Sequence, residues 1–226
     1  NQIFYQCIFH NSRVPWRADK VYQMMLNAPV NVLNRIGLRG SLHAVNEVEA
    51  NSLRIAGIGG GRVGEAMVVV GNLLLDFDYS LMSRVWKVPG QPFRDLALET
   101  MEERVGTLNI LDCNHTLESL ESYLTEAFAE SLERPVHEAQ LEREEIQVGK
   151  NTAIELASNE FLSLHRPSGE VKAMKSLKIS ANVFIHHIHL QLEGQVEEVS
   201  VRVDNGIITD LKTESPRKTN LRKFLI

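Results

Sequence analysis

The chain has 226 residues, 24 Lys and Arg against 29 Asp and Glu, a formal net charge of -5 and 43% hydrophobic content. That is enough to bury a core in one or two domains. With 23% charged residues and no apolar run near the roughly 18 residues of a bilayer span, wholesale disorder and a membrane-crossing helix are excluded, and an acidic balance offers no general field for a phosphate backbone. Neither nucleic acid nor membrane is expected as a partner. Cys7 and Cys113 are the only cysteines, too few for a disulfide framework or a thiolate zinc cluster, which fits a reducing, cytoplasmic setting. No basic-then-apolar leader opens the chain, and NQIFYQCIFH at its start reads as the interior of a longer protein.

Residues 2–9 (QIFYQCIF) are aromatic and branched and predict a strand, followed by a turn at NSRVPW. Val21, Met24, Met25, Val32, Leu33 and Ile36 recur at helical spacing, with Gly37 as the stop and Pro29 expected to bend or split the helix. Residues 43–50 and 53–58 predict two strands joined by a turn at Asn51-Ser52. A dense glycine stretch, GIGGGRVG at 57–64, reads as a loop, and AMVVVGNLLLDFDY at 66–79 as a buried central strand or a pair of them. Helices are predicted over 80–86, 92–103 with Pro92 in the first turn, and 116–132, where Thr116 is the N-cap and Ser119 leaves the capping box incomplete. The acidic stretch 138–145 (EAQLEREE) reads as a connector or a solvated helix, and a domain boundary is expected between about 135 and 150. Four strand-like runs follow at 171–180, 182–193, 196–204 and 207–212, the last two meeting at Asn205-Gly206, a strong hairpin signal because a type I′ turn needs positive φ at both centres. Residues 217–226 predict a short closing helix.

Three constellations invite chemistry. His186, His187 and His189 alternate along one predicted strand, which puts His187 and His189 on a common face. Without a nearby acidic ligand a strand face of mixed composition is the expectation, and no metal ligand is assigned. Cys113 and His115 precede a helix whose positive end can lower a thiol pKa. Residues two apart in a loop seldom hold proton-transfer geometry, so an incidental, partly buried cysteine is the plainer reading. The glycines at 57, 59, 60, 61 and 64 carry most information. So many glycines cost folding entropy, which makes sense where backbone N–H groups approach a ligand. They lead into a strand rather than a helix and no Lys-Ser/Thr follows, so neither a dinucleotide fingerprint nor a Walker loop applies. Asn46, Glu47 and Arg54 flank the stretch with hydrogen-bonding, acidic and cationic groups.

At these residues the chain resembles the lipoate–protein ligase family, whose catalytic domain shares its fold with biotin–protein ligases. The resemblance runs through VNEVEANSLRIAGIG (45–59), VGNLLLDFDYSLMSRVWKVP (70–89), FRDLALETMEERVGTL (93–108), the helix after Thr116, and the run 177–212, which is similar to the family's small C-terminal domain. It implies an α+β fold, with a biotin/lipoate ligase-like mixed sheet and helices in a partial catalytic domain over 1–140 and a small α+β accessory domain over 150–226. It also implies a two-step reaction in which lipoate and ATP, accompanied by Mg2+, form lipoyl-AMP, and a lysine of a lipoyl carrier domain then takes the acyl group. The carrier would be a 2-oxoacid dehydrogenase E2 or a glycine cleavage H-type protein. Arg54 falls where the family has a lysine and is assigned as the electrostatic stabiliser. Glu47 falls where the family has an aspartate, and with Asn46 it is expected to orient ligand or stand on the metal side. Gly57, Gly59, Gly71 and Asn72 are expected to form the pocket backbone, and residues 68–75 part of an apolar wall. The family's Arg-Arg-x-Ser-Gly-Gly-Gly segment would lie ahead of residue 3. Two alternatives stay open: an acyl-carrier acyltransferase of the same fold using Cys113 as nucleophile, and a catalytically inactive module that binds a carrier domain.

Overall fold

In the computed structural model, which describes residues 1–113, 115–164, 172–192 and 195–214, the opening run becomes strand β1 (Gln2–His10). The two-residue period of a strand sends Ile3 into the core and leaves Phe4 and Ile8 exposed. Helix α1 (Ala18–Arg35) then buries Val21, Met25, Leu26, Val32 and Leu33. It runs through Pro29 as one element instead of splitting. Pro29 is itself buried on the packed face, and packing of that stripe offsets the roughly 3 kcal/mol an interior proline costs.

The stretch 43–50 is divided between β2 (Gly40–His43) and β3 (Glu47–Ala50), because Ala44 takes φ 54° and turns the chain. As expected, Asn51 and Ser52 form the next turn, at φ 52° and 67°, and lead into β4 (Leu53–Val63). The glycine stretch is not a loop. Gly57 to Gly61 continue β4 in register with β5 (Ala66–Leu74), and the turn falls at Gly64-Glu65. Ladder hydrogen bonds hold this segment where side chains cannot. At Gly60 a Cβ would sit 2.4 Å from the Val68 carbonyl oxygen, so the strands approach too closely for any other residue.

These strands form one antiparallel sheet in the order β1-β5-β4-β3-β2. Two helices come next, α2 (Tyr79–Val85), capped by the Asp78 carboxylate accepting from Leu81 N, and α3 (Gln91–Arg104), with proline in its first turn. The chain then returns to the first sheet with α4 (Leu117–Ser131), whose cap is Thr116, accepting from Ser119 N. α1 and α4 cover the inner face of the sheet, over Val48, Ile55, Val69 and Leu73, and Phe128 meets Tyr5 edge-on at 4.9 Å. Phe4, Ile8 and Val70 on the outer face stay exposed.

The acidic stretch is irregular as far as Glu142. There a capping box with Glu145 starts α5 (Arg143–Leu156), which buries none of its residues and is followed by the short α6 (Asn159–Leu164). A second antiparallel sheet closes the described chain: β6 (Ser176–Ser180), β7 (Val183–Leu192), β8 (Gln195–Asp204) and β9 (Ile207–Lys212), in that order. Asn205 and Gly206 make the β8–β9 turn at φ 52° and 82°, as the dipeptide predicts. The closing helix expected at 217–226 lies outside the described residues. α3 packs on this second sheet, Phe93, Leu96, Ala97 and Met101 meeting Ile179, Val183 and Ile185.

Charge joins the same elements. Arg202, nearly buried in β8, grips Asp204 with two hydrogen bonds of 2.8 and 2.9 Å and reaches Glu103 at the end of α3, while Arg104 donates to Asp204 at 2.6 Å. Burial opposes ionisation of Asp204, but the bonds from both guanidinium groups outweigh it and hold the carboxyl below its usual range. The folded pKa is depressed, so this stabilisation is fully present above the unfolded value of about 4 and is lost as pH falls through the folded one. Asp204→Asn is expected to cost about 1–2 kcal/mol at neutral pH and to flatten the acid limb of a stability profile measured by urea unfolding.

Candidate active-site pocket

The β3–β4 hairpin, β5 and β1 form a pocket of about 240 Å³ on the outer face of the first sheet, lined by Asn46, Arg54, Gly57, Gly59, Gly71 and Asn72, with Phe4, Ile58 and Val70 completing it. Of the site residues expected from sequence, all but Glu47 are brought together here. Period two makes the floor: Gly57 and Gly59 face outward opposite Asn72 and Val70 of β5, and with no side chains there a crevice is left beside exposed Phe4 and Val70.

Arg54 is held at one end of its fork. Its Nη1 donates to the carbonyl oxygen of Ile179, in β6 of the second sheet, at 2.9 Å. Its Nη2 lies 3.1 Å from where a Cβ on Gly57 would stand. The guanidinium therefore lies across the bare backbone of Gly57, and a side chain at that position would crowd it. The Gly57 N–H donates to Asn72 Oδ1 at 3.0 Å, and Asn72 Nδ2 donates to Gln2 Oε1 at 2.7 Å, so the amide is oriented by its own bonds. A fixed cation, an oriented amide and a glycine floor together suit an anionic acyl or phosphoryl group with an apolar tail lying along Val70 and Phe4.

Glu47 is corrected. It is 2% exposed, its Oε2 accepts from Ala181 N at 2.7 Å, and its Oε1 pairs with Lys178 Nζ at 2.8 Å. Both oxygens are spent on the second sheet, and Glu47 is not among the residues that line this pocket. No lining residue of this pocket carries a carboxylate that could help hold the Mg2+ accompanying ATP. Lys178 and Ile179 were missed from sequence: they lie more than a hundred residues from their partners and carry no local signal.

Gly71 and Gly59 serve different faces. A Cβ on Gly71 would fall 2.2 Å from the Tyr5 ring, whereas one on Gly59 would meet nothing within 4 Å. Gly71→Ala is therefore expected to destabilise the fold by at least about 1–3 kcal/mol through overpacking. Gly59→Val is expected to leave the melting temperature within a few degrees while obstructing the pocket. Thermal unfolding and ligand titration of the two variants check the contrast.

Cys113 sits in the first core, and burial pushes its thiol up, opposite to the lowering expected from the helix end. The His115 ring meets Tyr123 at 5.9 Å instead. Burial thus works against the thiolate that an acyl-transfer nucleophile needs. His187 and His189 do share a face, but the expectation of no acidic neighbour is wrong, since the β7–β8 register sets Glu198 directly opposite His189.

Among solved structures the architecture is that of lipoate–protein ligases. A bipartite lipoate protein ligase from Thermoplasma acidophilum, solved in work on that archaeal lipoylation system and its E2 lipoyl domain, matches at TM-score 0.66 and 20% identity over 75% of this chain and 67% of its own. A T. acidophilum protein described as a lipoate protein ligase with bound lipoic acid matches at 0.56 and 17% over 71% and 64%. A lipoate–protein ligase A bound with ATP matches at 0.57 and 19% over the same shares. The chain thus spans about two thirds of the length of these relatives. The family model for the lipoyl protein ligase A/B catalytic domain matches residues 1–129, and the chain belongs to that family. No curated protein matches by sequence.

Proposed function

We propose that the complete protein is a lipoate–protein ligase, activating lipoate with ATP and transferring the lipoyl group to a lysine of a carrier domain. The observation that carries this reading is the Arg54 guanidinium, fixed across Gly57 at the mouth of a pocket with an oriented amide and a glycine floor. In the first step a lipoate carboxylate oxygen attacks the α-phosphorus of ATP and pyrophosphate leaves. In the second the carrier lysine amine attacks the acyl carbon, an amide forms and AMP leaves. Negative charge builds on the phosphoryl oxygens in the first step and on the acyl oxygen in the second, and a pre-positioned cation stabilises both without reorganisation. The carrier is of the 2-oxoacid dehydrogenase E2 or glycine cleavage H type; the E2 lipoyl domain named with one solved relative supports the first, and the lipoic acid and ATP named with others support the substrates.

Residues 1–140 are read as the catalytic part and 150–226 as the accessory part, joined at the site by the Arg54 and Glu47 bonds to β6. Two free cysteines suit a cytoplasmic setting. Among the described residues no helix is long and apolar enough to cross a membrane. Lipoate-dependent exchange of labelled pyrophosphate into ATP by the full-length protein is the expected result. Its absence defeats the ligase reading in favour of a carrier-binding module.

A further inference from the structure

We infer that His187, His189 and Glu198 form a divalent transition-metal site of the zinc type, opening onto the cleft between the start of α3 and the β8–β9 edge. The inference begins with register. His189 of β7 lies directly opposite Glu198 of β8, and His187, two residues back, is paired with Ser200, which places the carboxylate diagonal to its ring. Alternation turns the three side chains to the same side of the sheet, the side on which Ile185 packs against α3.

The distances suit one ion. His189 Nε2 lies 3.3 Å from one Glu198 oxygen and His187 Nε2 lies 3.8 Å from the other. One ligand atom from each of the three residues lies within 4.8 Å of the other two. Zinc bonds of about 2.0–2.2 Å in tetrahedral array hold donors roughly 3.3–3.5 Å apart, so small side-chain rotations bring all three into range.

His189 hydrogen-bonds Glu198, but the His187 ring, only 11% exposed, makes no side-chain hydrogen bond among the described residues, and its Nδ1 is buried without a partner. The other ring nitrogen, Nε2, is the one turned toward Glu198 and is the atom that would bind the ion, Nδ1 keeping the proton of the neutral ring. The surroundings favour a cation. A cleft of about 320 Å³ reaches His187 and Glu198 and is also lined by Glu197, Glu214, Ser200 and Thr213, which leaves an open side for water as a further ligand. Two imidazoles with one carboxylate select zinc, cobalt or nickel over magnesium or calcium, which prefer all-oxygen sets.

The site shares no residue with the Arg54 pocket, so it stands or falls apart from the ligase reading. The test is calorimetric titration of chelator-treated full-length protein with Zn2+, alongside visible absorption of the Co2+ form. The expected result is one equivalent of Zn2+ bound, d–d bands for Co2+ at low coordination number, and no heat from Mg2+ over the same range. His189→Ala and Glu198→Gln alter exposed side chains and are expected to fold normally by circular dichroism. His189→Ala should weaken Zn2+ binding by more than about a hundredfold, beyond what loss of a supporting partner costs, and Glu198→Gln by at least about tenfold. Absence of stoichiometric binding overturns the inference. So does binding that survives His189→Ala, which would assign the ion to other histidines of the chain.

Discussion

Arg54→Ala is expected to lower kcat/KM for lipoate-dependent pyrophosphate exchange by about 10²–10³, the effect of removing one pre-organised stabilising donor from a site of developing charge. The structural loss is much smaller. Arg54 gives one hydrogen bond to the Ile179 carbonyl oxygen, worth on the order of 1 kcal/mol, so the variant should remain folded at assay temperature. Arg54→Lys is the informative partner, since the family resemblance puts a lysine at this position. It keeps the charge but has no fork to hold Ile179 and reach over Gly57 together, so activity should recover most of the way while thermal stability falls slightly. Full activity in Arg54→Ala with an intact fold would remove this side chain from the chemistry.

The second large effect concerns a lysine that looks like surface. Lys178 is 41% exposed, yet its ammonium is the partner of a Glu47 carboxylate that is 2% exposed. Lys178→Ala leaves that carboxylate buried with only the Ala181 N–H. Removing one partner of a fully buried pair costs about 3–5 kcal/mol. Water reaches the lysine side and screens the pair, so about 2 kcal/mol is expected here, or a fall in melting temperature of roughly 4–8 °C for a chain of this size. An ordinary surface lysine would change stability by under about 0.5 kcal/mol. Glu47→Gln with Lys178→Ala should be milder than Lys178→Ala alone, because no charge is then left unpaired. Equal melting temperatures for wild type and Lys178→Ala would show that the pair does not clamp β3 to β6.

Much of the site was legible before the fold was known, for a local reason. Asn46, Arg54, Gly57 and Gly59 lie along one hairpin, and the Asn51-Ser52 turn that brings β3 back onto β4 announces itself in sequence. Gly71 and Asn72 follow on the next strand through the tight Gly64-Glu65 turn. Short connections carry short-range signals, so residues near in sequence were rightly expected to be near in space.

The misread elements show where such signals stop. Five glycines in eight residues look like a loop because glycine disfavours a strand on its own. The ladder to β5 and the close passage at Val68 impose the strand. Pro29 predicts a split helix, but burial of its face against the sheet keeps the helix whole. Glu47 looks like a ligand-side acid until β6 arrives and takes both its oxygens, and the histidines lack an acid until β8 sets Glu198 beside them.

By itself, then, the order of residues determined the turns, most helices and strands, the glycine floor and the identity of the cation, because each depends on neighbours a few positions away. Only the tertiary structure decided what that cation and the nearby carboxylate would bond to, which face each strand presents, and which histidines meet a glutamate. Those outcomes come from pairing and packing between segments distant along the chain, whose energies no local pattern records.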